Sequence, residues 1–396
     1  MDKFWRNWSG TIRFSPQSIE FPENENEVAN IVSKALKEKK NLRPVGQGHS
    51  SSPLVETEGI LLSLDRYSLK AKVDRKENRA TLGAGTTLND SGKLLLQNGL
   101  SMENYGDVAY QALAGAFGTG THGSGKFLKN LSYQLSSVRM VTGEGDITDI
   151  DFTADKDSIR ALRVSLGTLG VITECTLNLA EAFRVVRRYW CTHIESCLES
   201  LDELIDKNRS FDFYWYPRSD LAQIRTLTLQ EDGVPSGTAD SVLKKEKTGW
   251  ASEIIPHERT LKYHEMEYAF PLEVGPEAFR AVRKRVKQRH RKDVCWRVLY
   301  RTIATDDTML SMAYGRDTVT ITIHHNAQLP YEEYFGDMEP ILQEYGGRPH
   351  WGKKHSMKAG KLRELYPEWE SFLQIRNRFD PHGVFLSPYL KELLGV

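Results

Sequence analysis

The sequence predicts an α+β protein of two domains, an N-terminal α+β domain followed by one built on a mostly antiparallel sheet covered by helices. Three observations support this. The chain has 396 residues, whereas single domains commonly run to roughly 100 to 200. Its first third alternates strand and helix signals around glycine-rich loops. After about Ala180 the texture changes to aromatic strands separated by charged helices, the pattern of an antiparallel sheet with helices packed on it.

Pro22 and the acidic cluster after it open a helix on which Val28, Ile31, Val32, Ala35 and Leu36 share one face, and the lysines of 34–40 favour its C-terminal end. A short strand at 42–45 leads into the small-residue loop GQGHSSSP, 46–53, and the apolar run 60–64 reads as a further strand. Residues 79–83 form another, and 87–97 a helix closed by Gly99 just past its end. Residues 137–141 and 147–152 read as a hairpin joined through the turn GEG, 143–145. The segment 164–177 carries GTLGVIT, a glycine-broken stretch ending in a β-branched strand. Further on, 211–216, 263–270, 296–303 and 318–324 read as strands and 233–237 as a loop. The basic stretch 280–292 carries Ala281, Val282 and Val286 at helical spacing, an amphipathic helix.

Hydrophobic content of 39% and charged content of 27% fit a globular protein. The 53 basic and 53 acidic residues cancel, which argues against nucleic acid as a partner. The start MDKFWRNWSG has no signal-peptide pattern, and no stretch approaches the roughly 20 apolar residues of a membrane span. A cytoplasmic protein is expected. The four cysteines, Cys175, Cys191, Cys197 and Cys295, are too irregularly spaced for a disulfide framework or a zinc site and read as reduced thiols.

Chemistry is concentrated in three glycine-rich segments: 46–52, 83–85 and GAFGTGTHGSGK, 115–126. Glycine allows close backbone approach to a ligand, and successive N–H groups in such turns make anion-binding concavities, so a bound pyrophosphate is expected. Two familiar motifs nearly match. Gly118, Gly120 and Gly123 satisfy GxGxxG, but the segment does not sit between a strand and a helix. Gly120 and Gly125-Lys126 satisfy GxxxxGK, but Phe127 stands where a P-loop needs Ser or Thr.

Six segments, RPVGQGHS (43–50), AGAFGTGTHGSG (114–125), SLGTLGVITE (165–174), HEMEYAFP (264–271), PHWGK (349–353) and DPHGVFLSPYL (380–390), resemble the sugar-lactone oxidases. That group of vanillyl-alcohol-oxidase-type flavoproteins includes the gulonolactone, arabinonolactone and alditol oxidases. The resemblance implies an FAD-binding domain over 1–180, a substrate domain over 181–348, and a C-terminal segment, 349–396, returning to the FAD domain. It also implies that His49 holds FAD covalently. Pro44, Val45, Gly46, Gln47, Gly48 and Ser50 would line the cofactor, with Gly106, Gly115, Gly118, Thr119 and Gly120. Thr121, His122, Gly123, Ser124, Gly170, Val171 and Ile172 complete the implied cofactor set, and His350 would sit near the flavin.

The family pattern puts two cations, Arg301 and Lys353, beside the reacting hydroxyl. For Arg301 the plainer reading is an ion pair with Asp306 or Asp307. Departures from the pattern bear on substrate. Leu299 stands where many relatives carry a glutamate, and Ala116 and Thr322 replace a serine and a histidine of the alditol oxidases. A buried hydroxyl needs a partner, so a linear polyol would be poorly held. An aldono-1,4-lactone oxidised at C2, with O2 as acceptor, is the expected reaction. The alternatives are an alditol or other carbohydrate oxidase, or a dehydrogenase with another acceptor. His324, His325, His355, Glu265 and Glu267 are further candidates for proton acceptor or substrate contact, and no metal is expected, since His350 and His355 lack a third ligand.

Overall fold

A computed structural model describes residues 4–67, 71–233, 237–292, 294 and 296–396. The loop expected at 233–237 lies partly, and Cys295 wholly, outside the described residues. The other three cysteines are unpaired.

The N-terminal part opens with a parallel sheet of three strands, in the order Ser18–Glu20, Ile60–Ser63, Leu42–Val45. Helix Glu25–Lys37 makes the crossover. Asn24 caps it by accepting from Glu27 N, while the Glu27 carboxylate accepts from Glu23 N, so donors at the helix start are satisfied reciprocally. A five-stranded antiparallel sheet follows, ordered Ile147–Asp151, Leu135–Val141, Val171–Asn178, Arg79–Gly83, Lys72–Asp74. The expected hairpin is its edge. Helix Leu88–Gln97 is capped by Thr87 and ends before Gly99, whose φ of +67° is the left-handed conformation glycine adopts without cost.

The second part is one eight-stranded antiparallel sheet, ordered Val242–Trp250, Arg184–His193, Leu221–Leu229, Ser210–Tyr216, Val298–Ile303, Thr318–Asn326, Tyr263–Pro271, Arg348–Pro349. The four strands expected from the sequence are its centre. Arg184–His193 and Val242–Trp250 were not anticipated, because arginine and lysine at several of their positions mask the alternation that marks a strand, and Leu221–Leu229 was not because it has none of the aromatic residues that mark its neighbours. The amphipathic helix begins earlier than expected, at Gly275, and runs to Arg285 before a single π-turn, Val286–His290.

Side chains alternate across this sheet and give it two unlike faces. Phe213, Tyr300 and Ile321 join the apolar core, where Phe213 stacks on Tyr300 at 4.9 Å and meets Phe279 of the Gly275–Arg285 helix edge-on at 5.1 Å. The other face carries Asp212, Arg301, Glu267 and Thr322, all nearly or fully buried. The C-terminal segment returns to the first sheet. Leu42 N donates to Val384 O at 2.8 Å, Asn41 Nδ2 to Leu386 O at 2.7 Å, and Ser51 N to Gly352 O at 2.7 Å.

Candidate active site

Two cavities meet between the polar face of the large sheet and the glycine loops. The first encloses about 1050 Å³ and is lined by 43–50, 112 and 114–116, Gly118, Thr119, 165–167, Gly170 and Ile172. Two of its glycines are required sterically. A Cβ on Gly46 would lie 2.9 Å from Ala112 Cβ, and Gly48 has a φ of +65° with the Trp5 ring 2.9 Å from where a Cβ would be. Among the described residues no carboxylate lines this cleft. Arg43 locks its wall, with the guanidinium donating to the carbonyls of Leu54, Leu166, Gly167 and Phe385 at 2.6–2.9 Å. Burial pushes Arg43 down to about 9, so it stays cationic at neutral pH.

The second cavity, about 850 Å³, shares His49, Ser50, Gln111 and Thr119 with the first. Its walls include Arg301, Lys353, His350, His324, Glu265 and Leu299. His49 is therefore at the junction, its ring stacked on Trp8 with centroids 5.1 Å apart. Burial, and then the Lys262 ammonium, push His49 down to about 4, so the imidazole is neutral across the physiological range.

Glu267 is the hub behind the second cavity. Fully buried, its Oε1 accepts from His122 Nε2 at 2.6 Å and from Arg301 at 3.2 Å. Its Oε2 accepts from Lys353 Nζ at 2.5 Å, Thr322 Oγ1 at 2.7 Å and Arg301 at 2.9 Å. Burial opposes the charge, yet Lys353, Arg301 and His122 hold this carboxyl well below its usual range. Glu265, two residues earlier on the same face, accepts from Lys353 at 2.9 Å and lies 3.2 Å from His324 Nε2. Both ring nitrogens of His122 face acceptors, the second being Gly123 O at 2.9 Å, which would suit a doubly protonated ring. Burial and then Arg301 disfavour that charge. We assign the neutral form with the proton on Nε2, since the shorter contact goes to a full carboxylate.

His350 Nδ1 accepts from Gly352 N at 3.0 Å, so a neutral ring carries its proton on Nε2; burial and then Lys353 push it down to about 3. His324 lies between two acceptors, Arg297 O at 3.0 Å from Nδ1 and Glu265 at 3.2 Å from Nε2, and burial lowers its pKa too.

Several sequence assignments change here. The residues Pro44 to Ser50, Gly115, Gly118, Thr119, Gly170 and Ile172 come together in the first cavity. Val171 points into the core opposite them, and Gly106 and Gly120 line neither cavity. Thr121 and His122 face the second cavity instead. Gly123 and Ser124 border a separate pocket, where Ser124 Oγ donates to Phe211 O and ties the loop to the large sheet. Thr322 is fully buried with its hydroxyl committed to Glu267, and Ala116 lines the first cavity, so neither faces the second. Arg301 pairs with Glu267 rather than with Asp306 or Asp307. His325 and His355 line neither cavity. No helix opens after Gly123, as a dinucleotide fingerprint would need. Sequence reasoning passed over Gln111 and Trp8, which carry no motif, took Arg43 only as the opening of RPVGQGHS, and ranked Glu267 low. The readable signal was two carboxylates at i and i+2 on one strand.

Residues 16–151 match the FAD binding domain family and residues 234–393 the D-arabinono-1,4-lactone oxidase family. The chain is 34% identical over 432 aligned positions to L-gulono-1,4-lactone dehydrogenase of Mycobacterium tuberculosis, covering 100% of both. It belongs to the sugar-lactone oxidase family of FAD-dependent oxidoreductases. L-gulonolactone oxidase of Mus musculus is 27% identical, with 98% of each chain covered, and alditol oxidase of a Streptomyces species is 27% identical over the same shares. The fold of this family member is that of cholesterol oxidase from B. sterolicum, with a TM-score of 0.87 at 15% identity, covering 100% of this chain and 97% of that one. FAD fits the first cavity: glycines clear a backbone cradle, no carboxylate among the described residues lines it to repel the diphosphate, and the cleft opens at His49 into the second cavity. Among the described residues no helix is long and apolar enough to cross a membrane.

Proposed function

We propose that the enzyme oxidises the C2 carbinol of an aldono-1,4-lactone, with FAD held covalently by His49 and dioxygen as the acceptor. On this reading residues 1–180 hold the cofactor, 181–348 cover the substrate, and 349–396 close the site from the C-terminal side. The observation that carries it is the neutral His49 at the junction of the glycine cleft and the cation-lined cavity. FAD, when bound, supplies the hydride acceptor.

The chain's own residues do the rest. Arg301 and Lys353 bind the lactone oxygens and stabilise the negative charge that grows on the reacting oxygen. His324 takes the hydroxyl proton on Nε2, and Glu265 steadies the resulting imidazolium; a base with a lowered pKa is free of its proton at neutral pH. His350 Nε2–H is the donor to a substrate oxygen. Leu299 offers an apolar wall to a lactone ring, and with Thr322 turned to Glu267 a linear polyol finds fewer partners. The unpaired cysteines suit a cytoplasmic enzyme.

Anaerobic addition of aldonolactones is expected to bleach the flavin band while alditols do not, and air then to yield hydrogen peroxide. Bleaching by alditols alone overturns the substrate assignment. Acid precipitation is expected to leave the flavin on the wild-type protein and to release it from His49→Ala; release from the wild type refutes covalent attachment.

A further inference from the structure

The wall of the second cavity holds a charge that the reaction above does not use. Arg297, Leu299 and Arg301 alternate along the chain and all three line the cavity. Arg301 is paired with Glu267, and Leu299 between the two arginines is no partner to either. The Arg297 guanidinium stacks on the Tyr214 ring at 4.2 Å, and its Nε is buried without a hydrogen-bond partner. Among the described residues no carboxylate lies within ion-pair distance of it.

Two further guanidiniums are gathered at the same tyrosine, and that of Arg225 lies over its ring at 4.5 Å. Arg259 donates to the Tyr214 hydroxyl at 3.3 Å and to Asp107 at 3.1 Å. Asp107 is already shared with Arg225 at 2.9 Å and Arg187 at 3.4 Å, so it has little charge to spare for Arg297. The wall as a whole carries Arg259, Arg297, Arg301 and Lys353 against Asp107 and Glu265, with Glu267 just behind. Cations gathered at one aromatic ring repel one another, and desolvation strengthens that repulsion, unless an anion joins them.

We propose that Arg297, with Arg259 and Tyr214, forms an anion subsite, so that the substrate is a sugar lactone carrying a carboxylate or a phosphate ester at the end away from the oxidised carbinol. This rests on the reading of the cavity as the lactone site. A guanidinium recognises either group through paired N–H donors, and Tyr214 holds its plane in place. The anion would complete the charge balance that Asp107 leaves open. It would also fix how the ring lies against the wall that carries both His324 and Arg297.

The test compares the holoenzyme's KM for gulono-1,4-lactone, which is neutral, with those for glucaro-1,4-lactone, which bears a carboxylate, and 6-phosphogluconolactone, which bears a phosphate. One charge-assisted contact corresponds to roughly tenfold. We expect at least one anionic lactone to show a KM about tenfold or more below the neutral one, the arm that does so naming the group. Arg297→Met is expected to bring the ratio near one, and Arg297→Lys to keep part of it. Equal KM values in the wild type, or an anion preference that survives in Arg297→Met, overturn the subsite while leaving the lactone reading intact. If no lactone bleaches the flavin, calorimetric titration with inorganic phosphate and with glucarate decides: binding that is lost in Arg297→Met and kept in Arg297→Lys supports the subsite with the lactone reading withdrawn. Absence of binding refutes both.

Discussion

Glu267→Gln is the change that most directly tests how the site is held. The substitution keeps shape and removes one charge. Oε1 receives His122 and Arg301, at 2.6 and 3.2 Å, and Oε2 receives Lys353, Thr322 and Arg301, at 2.5, 2.7 and 2.9 Å. Whichever way the glutamine amide turns, its NH2 meets at least one donor that cannot reverse its role, Arg301 on either side and Lys353 on the Oε2 side, although the Thr322 hydroxyl can turn and His122 can move its proton to Nδ1, facing Gly123 O. Removing one partner from a buried ion cluster costs about 3–5 kcal/mol. Lys353 would retain Glu265, but Arg301 would lose its only ion-pair partner among the described residues. If roughly 3 kcal/mol of that cost falls on the transition state, the rate of flavin reduction drops by a factor of about 10². Stopped-flow anaerobic reduction with a saturating lactone measures this, with the flavin-to-protein ratio as the check that loading is intact. A loaded Glu267→Gln enzyme reducing its flavin within threefold of the wild-type rate would refute the claim that this carboxylate positions Arg301 and Lys353.

Two further outcomes follow from the geometry. Gly48→Ala forces a side chain into a φ of +65° against the Trp5 ring, at a cost of about 1–2 kcal/mol before the clash, and is expected to lower the flavin-to-protein ratio on purification. His350 has a folded pKa of about 3, below its ordinary 6.5, so the unfolded chain takes up the proton first as pH falls; stability is unaffected above 6.5 and declines below it by about 1.4 kcal/mol per pH unit until about 3. Glu265 and Glu267, whose carboxyls are lowered, act in the same direction only below about 4.5, so the fall in apparent melting temperature from pH 6.5 to 4.5 should be shallower in His350→Gln. An unchanged slope there would show that His350 is not buried as a neutral ring.

The cofactor cleft was readable from sequence because its determinants are local. A glycine at a positive φ, a short strand running into a small-residue loop and a Thr87 cap are each written within a few residues. What adjacency could not say was which way a loop faces: Gly118 and Thr119 line the cleft, while Gly123 and Ser124, a few residues on, border another pocket. The substrate side is still less local. Alternation marks Glu265 with Glu267, Leu299 with Arg301 and Thr322 with His324 as same-face pairs, but it does not reveal that Thr318–Asn326 pairs with both Val298–Ile303 and Tyr263–Pro271. Only that register brings Glu267 opposite Thr322 and within reach of Arg301.

The same register explains why Thr322 does not line the cavity although it lies on the polar face. The polar face of an antiparallel sheet ordinarily meets water, whereas here it meets the cofactor-binding part and its charges are buried. Buried charges must be paired, so Glu267 draws in Arg301, Lys353, His122 and Thr322 and fixes their direction before any substrate arrives. Thr322 is consumed by that pairing, being fully buried, whereas Arg301 and Lys353 still line the cavity. Groups satisfied on one side and open on the other are positioned to act on a substrate. Arg297, stacked on Tyr214 but with its Nε unpartnered and no carboxylate within ion-pair distance among the described residues, leaves its charge balance to whatever the cavity binds.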